Sequence, residues 1–210
     1  MDIRIVVFDM DGVLVDIDSS WQFVHREFNI DNTENLRQFL NHEINYSEFM
    51  RKDIALWGKT NVSVIKNILA KVPLMTGANI TVAELKKARY KTAIISAGIS
   101  ILAERIQHEL KIDYVFANRI VIDENGALTG EGEEIVNPLN KIAVLRELVL
   151  MEDATLQQCV VIGDTVFDVP MFRDAGFSIA FNTDDVQVKK AADAVIEDKD
   201  LTKILPYLLR

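Results

Sequence analysis

Two aspartates one residue apart, in Asp9-Met10-Asp11-Gly12, stand directly after the apolar run Ile3-Arg4-Ile5-Val6-Val7-Phe8. That run is mostly β-branched, as suits a strand buried on both faces of a parallel sheet. Ligands of open α/β sheets bind beyond the carboxyl ends of the strands, where this acidic loop would lie. An aspartate there can act as a nucleophile and carry a phosphoryl group. A second carboxylate two positions on can serve it as acid and base, and Gly12 lets the backbone turn sharply. The plain alternative is a strand that runs into an acidic turn. A calcium loop fits poorly, because Val13 and Leu14 occupy the places of its third carboxylate and glycine.

Other strand ends supply matching chemistry. Thr92–Ile95 runs into Ser96-Ala97-Gly98, and Cys159–Ile162 runs into Gly163-Asp164, with Asp168 four residues later. Lys141 sits near the start of a helix that Pro138 opens, where it could supply positive charge. Gathered at one sheet edge, Asp9, Asp11, Asp164 and Asp168 would repel one another. Two like charges ~4 Å apart cost about 4 kcal/mol at an effective dielectric of 20. A divalent cation offsets this, and oxygen-only ligands without His or Cys favour Mg²⁺.

The elements that must position these groups follow from periodicity. Residues 17–75 carry apolar residues at helical spacing, beginning with Trp21, Val24 and Phe28, and contain no strand pattern. Ser19 or Ser20 could cap the first of these helices. Beyond Pro73, strands and helices alternate. They include a short strand Tyr114–Phe116, a hairpin turned at Asn125-Gly126, and a final amphipathic helix through Leu201, Ile204, Leu205 and Leu208. The expected fold is α/β: a Rossmann-like parallel sheet core with helices on both faces, a helical cap inserted after the first strand, and a small β-hairpin. The expected domains are a core of residues 1–16 and 77–210 and a cap of residues 17–76, placed as a lid over the acidic loop.

Composition narrows the partners. A chain of 210 residues holds one full domain with a small insert, and its net charge of −9 argues against a nucleic-acid partner. No run approaches the ~20 apolar residues of a membrane span, and no signal peptide is visible. The single cysteine, Cys159, lies in an apolar run and fits a reducing, cytoplasmic setting. His25, His42 and His108 fall in helical segments without evident partners and read as surface or packing residues.

Taken together, these residues resemble the haloacid-dehalogenase-like hydrolase superfamily. Asp9-Met10-Asp11-Gly12-Val13 matches its first motif, Ser96 its second, Lys141 its third, and Gly163-Asp164-Thr165-Val166-Phe167-Asp168 its fourth, in the family's order. Within it, Phe116–Arg119, the hairpin and Ala175–Phe181 resemble the phosphoserine phosphatase branch. The resemblance implies a Mg²⁺-dependent phosphatase for a small phosphorylated metabolite. Asp9 would be its nucleophile and Asp11 its acid and base, with Ser96 and Lys141 on the phosphate. Asp9, Asp11 (through its carbonyl) and Asp164 would hold the metal, and Asp168 would orient water or Lys141. Gly12, Ala97 and Gly98 would line the substrate.

The branch's specificity residues depart from their pattern. Gly12-Val13 replace its usual Ser-Thr, and Phe167 replaces an Asn. Asp18 stands near the acidic residue for the substrate amino group. An ungapped reading puts Asp53 where the branch has an arginine for the substrate carboxylate, with Arg51 two residues away. A phosphotransferase or phosphomutase on the same scaffold, or a non-catalytic regulatory module, is the alternative expectation.

Overall fold

The computed structural model describes residues 2–209. Seven strands, β1 (Ile5–Phe8), β2 (Lys91–Ile99), β3 (Tyr114–Ile122), β4 (Leu128–Glu133), β5 (Cys159–Gly163), β6 (Phe177–Phe181) and β7 (Ala194–Ile196), form one sheet. Their order is β4-β3-β2-β1-β5-β6-β7, and every pair is parallel except β3 with β4. The chain leaves β1 toward one edge and later returns to its other side through β5. The crevice at the carboxyl ends of β1 and β5 is therefore a topological switch point, where α/β folds bind ligands.

All four β1 residues are fully buried, and their alternation divides the interior. Ile5 and Val7 pack with Val144, Leu145 and Leu148 of one helix on one face of the sheet. Val6 and Phe8 face the other way, into an apolar cluster that runs on through Leu14 and Trp21 to Ile54 and Ile65. Full burial of each such side chain contributes about 1.5–3 kcal/mol, so the central strand is among the firmest parts of the fold.

Between β1 and β2 come α1 (Ser20–Glu27), α2 (Thr33–Leu40), α3 (Tyr46–Leu56), α4 (Val62–Leu69) and α5 (Ala78–Lys87). The first four form the expected helical segment, and its entry and exit lie side by side. Val15 pairs antiparallel with Leu74, Asp16 N–H donates to Pro73, and Met75 N–H donates to Leu14. Helix α3 packs on β4, where Gly132 lies against Met50 and Ile54. The later helices are α6 (Ser100–Leu110), α7 (Lys141–Met151), α8 (Val169–Asp174), α9 (Val186–Ala191) and α10 (Leu205–Leu208). No helix among the described residues is long and apolar enough to cross a membrane.

Three elements differ from the sequence-based expectation. Strand β2 does not stop before Ser96 but runs to Ile99, with a register shift against β3 between Ile95 and Ile99. β3 is one strand rather than two, because its first half pairs with β2 and its second half pairs with β4 in the hairpin. The final helix is a 3₁₀ turn, Leu201–Ile204, followed by the short α10. Pro206, at the start of α10, lacks the N–H that a continuous helix would use.

Candidate active site

Asp9 follows β1 directly and its N–H donates to Ile162 of β5, which brings it beside the Gly163-Asp164 turn. Its Oδ1 accepts the Met10 N–H at 2.6 Å, and its Oδ2 accepts from Lys141 Nζ at 2.7 Å. Lys141, the first residue of α7, is itself buried and donates equally to Asp168 Oδ1 at 2.7 Å. Burial pushes the Asp9 carboxyl up, and the Lys141 ammonium works against that shift. Burial would lower Lys141, yet the Asp168 and Asp9 carboxylates override it and hold the ammonium above the usual lysine range.

Asp168 is fully engaged. Its Oδ2 accepts from the N–H groups of Asp164 and Thr165 and from Thr165 Oγ1 at 3.1–3.2 Å, while its Oδ1 holds Lys141. It therefore fixes the turn after β5 and the lysine together. Gly163 permits this close approach, since a Cβ there would lie 2.5 Å from the Asp168 Cγ.

Asp9, Asp164 and Asp168 present carboxylate oxygens that all lie within 4.8 Å of one another. Asp164 Oδ1 is buried without a hydrogen-bond partner, and burial, followed by the charges of Asp9 and Asp168, pushes its carboxyl well up. An orphaned buried oxygen among carboxylates is the environment a divalent cation relieves. The donors are all oxygens, so the residues present fit a hard cation. Gly12 shapes this cluster and does not line the crevice: it has φ +78°, and a Cβ on it would fall 2.1 Å from Asp164 Oδ2. A serine, usual in the branch that the sequence resembles, would displace that carboxylate.

Asp11 is held by the helical segment. Its Oδ2 accepts both the N–H and the hydroxyl of Ser20 at 2.8 Å, at the first turn of α1. Ser20 Oγ in turn accepts the Ile99 N–H, which ties α1 to the end of β2. Asp11 Oδ1 is buried with no partner. Burial pushes this carboxyl up to about 7, with the Ser20 N–H pulling the other way. Ser20 was visible in the sequence only as an alternative cap; the cap is Ser19, and Ser20 is the acid's anchor.

Ser96 is buried on β2, and its Oγ accepts the Gly98 N–H, leaving its proton free for a ligand. Ala97 contributes a carbonyl that is already taken. It accepts from Trp21 Nε1 at 3.0 Å, Tyr46 Oη at 2.9 Å and Asn118 Nδ2 at 2.9 Å, so two residues of the helical segment are latched to β2. Asn118 also bonds Val136 and the N–H groups of Ile135 and Val136, which explains why it is buried.

Of the specificity candidates, Asp18 lines the crevice, whereas Asp53 and Arg51 do not. Asp53 is fully buried away from the site, where its Oδ2 accepts from His25 and Asn32 and its Oδ1 from Asn35. His25 is not a partnerless residue. The Trp57 indole, a donor only, donates to its Nδ1, so Nε2 carries the proton to Asp53. His42 is exposed in a turn with φ +58°, and His108 is exposed on α6. Arg51 is 49% exposed, lies 3.7 Å from Glu48, and does not line the site. Asp18 borders the site's mouth with its side chain 91% exposed, 3.6 Å from Arg26. Asp53 does not line the crevice because helix α3 turns that residue toward α1 and α2.

This network supports a stability prediction. Removing the Asp53 acceptor leaves three donors unpaired in the interior, at about 3 kcal/mol. For a chain of this size that is a fall in Tm of roughly 6–12 °C. Thermal unfolding of Asp53→Ala checks it, and a change of less than about 1 °C would show that the network does not hold the helical segment together.

Comparison with known proteins agrees with this geometry. Residues 6–173 match the family model of haloacid dehalogenase-like hydrolases. The phosphoserine phosphatase of Methanocaldococcus jannaschii is 29% identical over 208 residues, covering 98% of this chain and 97% of that protein. That of Archaeoglobus fulgidus is 32% identical, but the chain spans only 60% of its length. A crystal structure of a phosphoserine phosphatase in apo form superposes with a TM-score of 0.84 at 30% identity, covering 98% of each chain. One described as a phospho-aspartyl intermediate analogue of phosphoserine phosphatase superposes at 0.83 and 29%. With an acidic switch-point crevice, a buried lysine between two of its aspartates, and a family model matching most of its length, the chain belongs to the haloacid dehalogenase-like hydrolases.

Proposed function

We propose that this chain is a Mg²⁺-dependent phosphatase that hydrolyses a small phosphomonoester through a phosphoryl group carried on Asp9. The observation that carries the reading is Asp9 itself. It stands at the end of the central strand, 2.7 Å from a buried ammonium and within one cluster with Asp164, whose Oδ1 has no partner. The related structure with an intermediate analogue supports it, as do relatives that are phosphoserine phosphatases.

Asp9, Asp164 and the Asp11 carbonyl would hold the ion. When bound, it neutralises charge on the phosphate oxygens and on the crowded carboxylates. The Asp9 carboxylate attacks phosphorus as Asp11 gives its proton to the departing alkoxide, and the alcohol leaves. Water then attacks the acyl phosphate, Asp11 takes its proton, and inorganic phosphate leaves with Asp9 restored. Lys141 and the Ser96 hydroxyl hold phosphate oxygens throughout, and Asp168 positions Lys141. Residues 17–76 act as a cap on the core of residues 1–16 and 77–210, latched through Ala97 and delivering Ser20 to Asp11. A reducing cytoplasm suits the lone, buried Cys159.

The test is phosphate release from a general phosphomonoester after chelation. Activity should fall to background in excess chelator and return with Mg²⁺, with free phosphate and no phosphorylated acceptor as product. Undiminished turnover in chelator would overturn the reading.

A further inference from the structure

The crevice holds a chamber of about 200 Å³ in all, with the phosphate site on its polar floor of Asp9, Asp11, Ser96 and Lys141 and a largely apolar wall above. Trp21, Leu36, Phe39, Leu40, Tyr46 and Phe49, all from the helical segment, form its apolar wall. Phe167 closes it from the turn after β5. Phe39 stacks on Phe49 at 5.2 Å and leans on Tyr46 at 5.5 Å, giving one continuous aromatic wall. The polar tips of this wall are used up. Trp21 Nε1 and Tyr46 Oη both donate to the Ala97 carbonyl.

Positive charge is absent where a substrate carboxylate would need it. Among the described residues that line the chamber, Lys141 is the one cation, and it sits at the floor bound to Asp9 and Asp168. Arg51 lies outside with Glu48, and the acidic side chain at the mouth, Asp18, pairs at 3.6 Å with Arg26, which does not line the chamber. A carboxylate drawn into the chamber would lose its water against aromatic carbon and gain no cation in return. Leu36 and Leu40 are the open end, 37% and 56% exposed, so the apolar surface continues outward past the mouth.

We infer that the leaving alcohol carries an uncharged apolar body about the size of one ring, an arylalkyl or branched alkyl group. Substrates with a carboxylate on that body are selected against. The size follows from the volume: a cavity of about 150 Å³ accepts benzene, the phosphate takes part of the 200 Å³, and the body extends toward the open end at Leu36 and Leu40. This rests on the phosphatase reading for its phosphate floor, whereas the chamber's preference is a matter of binding.

Purified enzyme with Mg²⁺ should be offered 3-phenylpropyl phosphate, ethyl phosphate and phosphoserine, all esters of unactivated primary alcohols, with p-nitrophenyl phosphate as a general control. The expected result is a kcat/KM for the phenylpropyl ester about 100-fold above that for phosphoserine, with ethyl phosphate between them. Phosphoserine equal to or better than the phenylpropyl ester overturns the inference. Release from none of the four overturns the phosphatase reading instead. The chamber is then judged by binding alone, comparing 3-phenylpropylphosphonate with 2-amino-4-phosphonobutanoate, the isostere of phosphoserine. Trp21, in the wall and stacked at 5.5 Å on Trp57, supplies a fluorescence signal. Tighter binding of the phenylpropyl compound upholds the inference, and equal or weaker binding overturns it.

Discussion

Asp9→Asn abolishes phosphate release, with kcat lower by ~10⁴-fold or more, while the protein remains folded. The amide keeps the shape of the side chain but is no nucleophile and cannot carry a phosphoryl group. Its oxygen still accepts the Met10 N–H, which is 2.6 Å from Asp9 Oδ1. Lys141 loses one carboxylate but keeps Asp168 at 2.7 Å, so its ammonium is not stranded. Removing one of the crowded carboxylates also relieves repulsion on Asp164, whose carboxyl is pushed up by burial and by the Asp9 charge. These effects oppose one another, and Tm should move by only a few degrees. Rapid acid quenching with labelled substrate checks the chemistry: wild-type protein should retain hydroxylamine-labile label, and the variant none. Turnover by Asp9→Asn at the wild-type rate would remove the covalent mechanism.

The parts of this site that could be read from the sequence are those fixed by local chain geometry. Asp9 and Asp164 each end an apolar run, and the runs pair in the sheet as Phe8 with Ile162. Lys141 was legible as a helix start after Pro138, and the hairpin as Asn125-Gly126, where Gly126 has φ +76°. What could not be read depends on how helices rotate against one another. Asp53 takes donors from α1 and from the residues around the start of α2, and no spacing within α3 announces that. The Ser20 anchor on Asp11 likewise needs the end of β2 beside α1, and β2 reaches that point only because it runs past Ser96. The aromatic residues were legible as core at helical spacing. That several of them open onto the phosphate floor is a property of the assembled segment.

Asp11→Asn should slow the enzyme in a way that depends on the leaving group, because the lost carboxyl serves both half-reactions. Its Oδ2 is fixed by two bonds from Ser20, and its unpartnered Oδ1 is the atom left to exchange a proton. An alkoxide is a poor leaving group without that proton, so phosphorylation of Asp9 by an alkyl phosphate should slow by ~10²–10⁴-fold. A nitrophenolate leaves without protonation, so its first half-reaction should be nearly spared. The second half-reaction still lacks the base that activates water. With p-nitrophenyl phosphate, Asp11→Asn should therefore release a burst of nitrophenol close to one equivalent per enzyme, followed by a slow steady state. An alkyl phosphate should give no burst. A melting curve beside the kinetics separates loss of chemistry from loss of fold. Asn retains an oxygen for the Ser20 donors, so Tm should stay within a few degrees of wild type. Equal losses on both substrates with no burst would contradict the assignment of Asp11 as the shared acid and base.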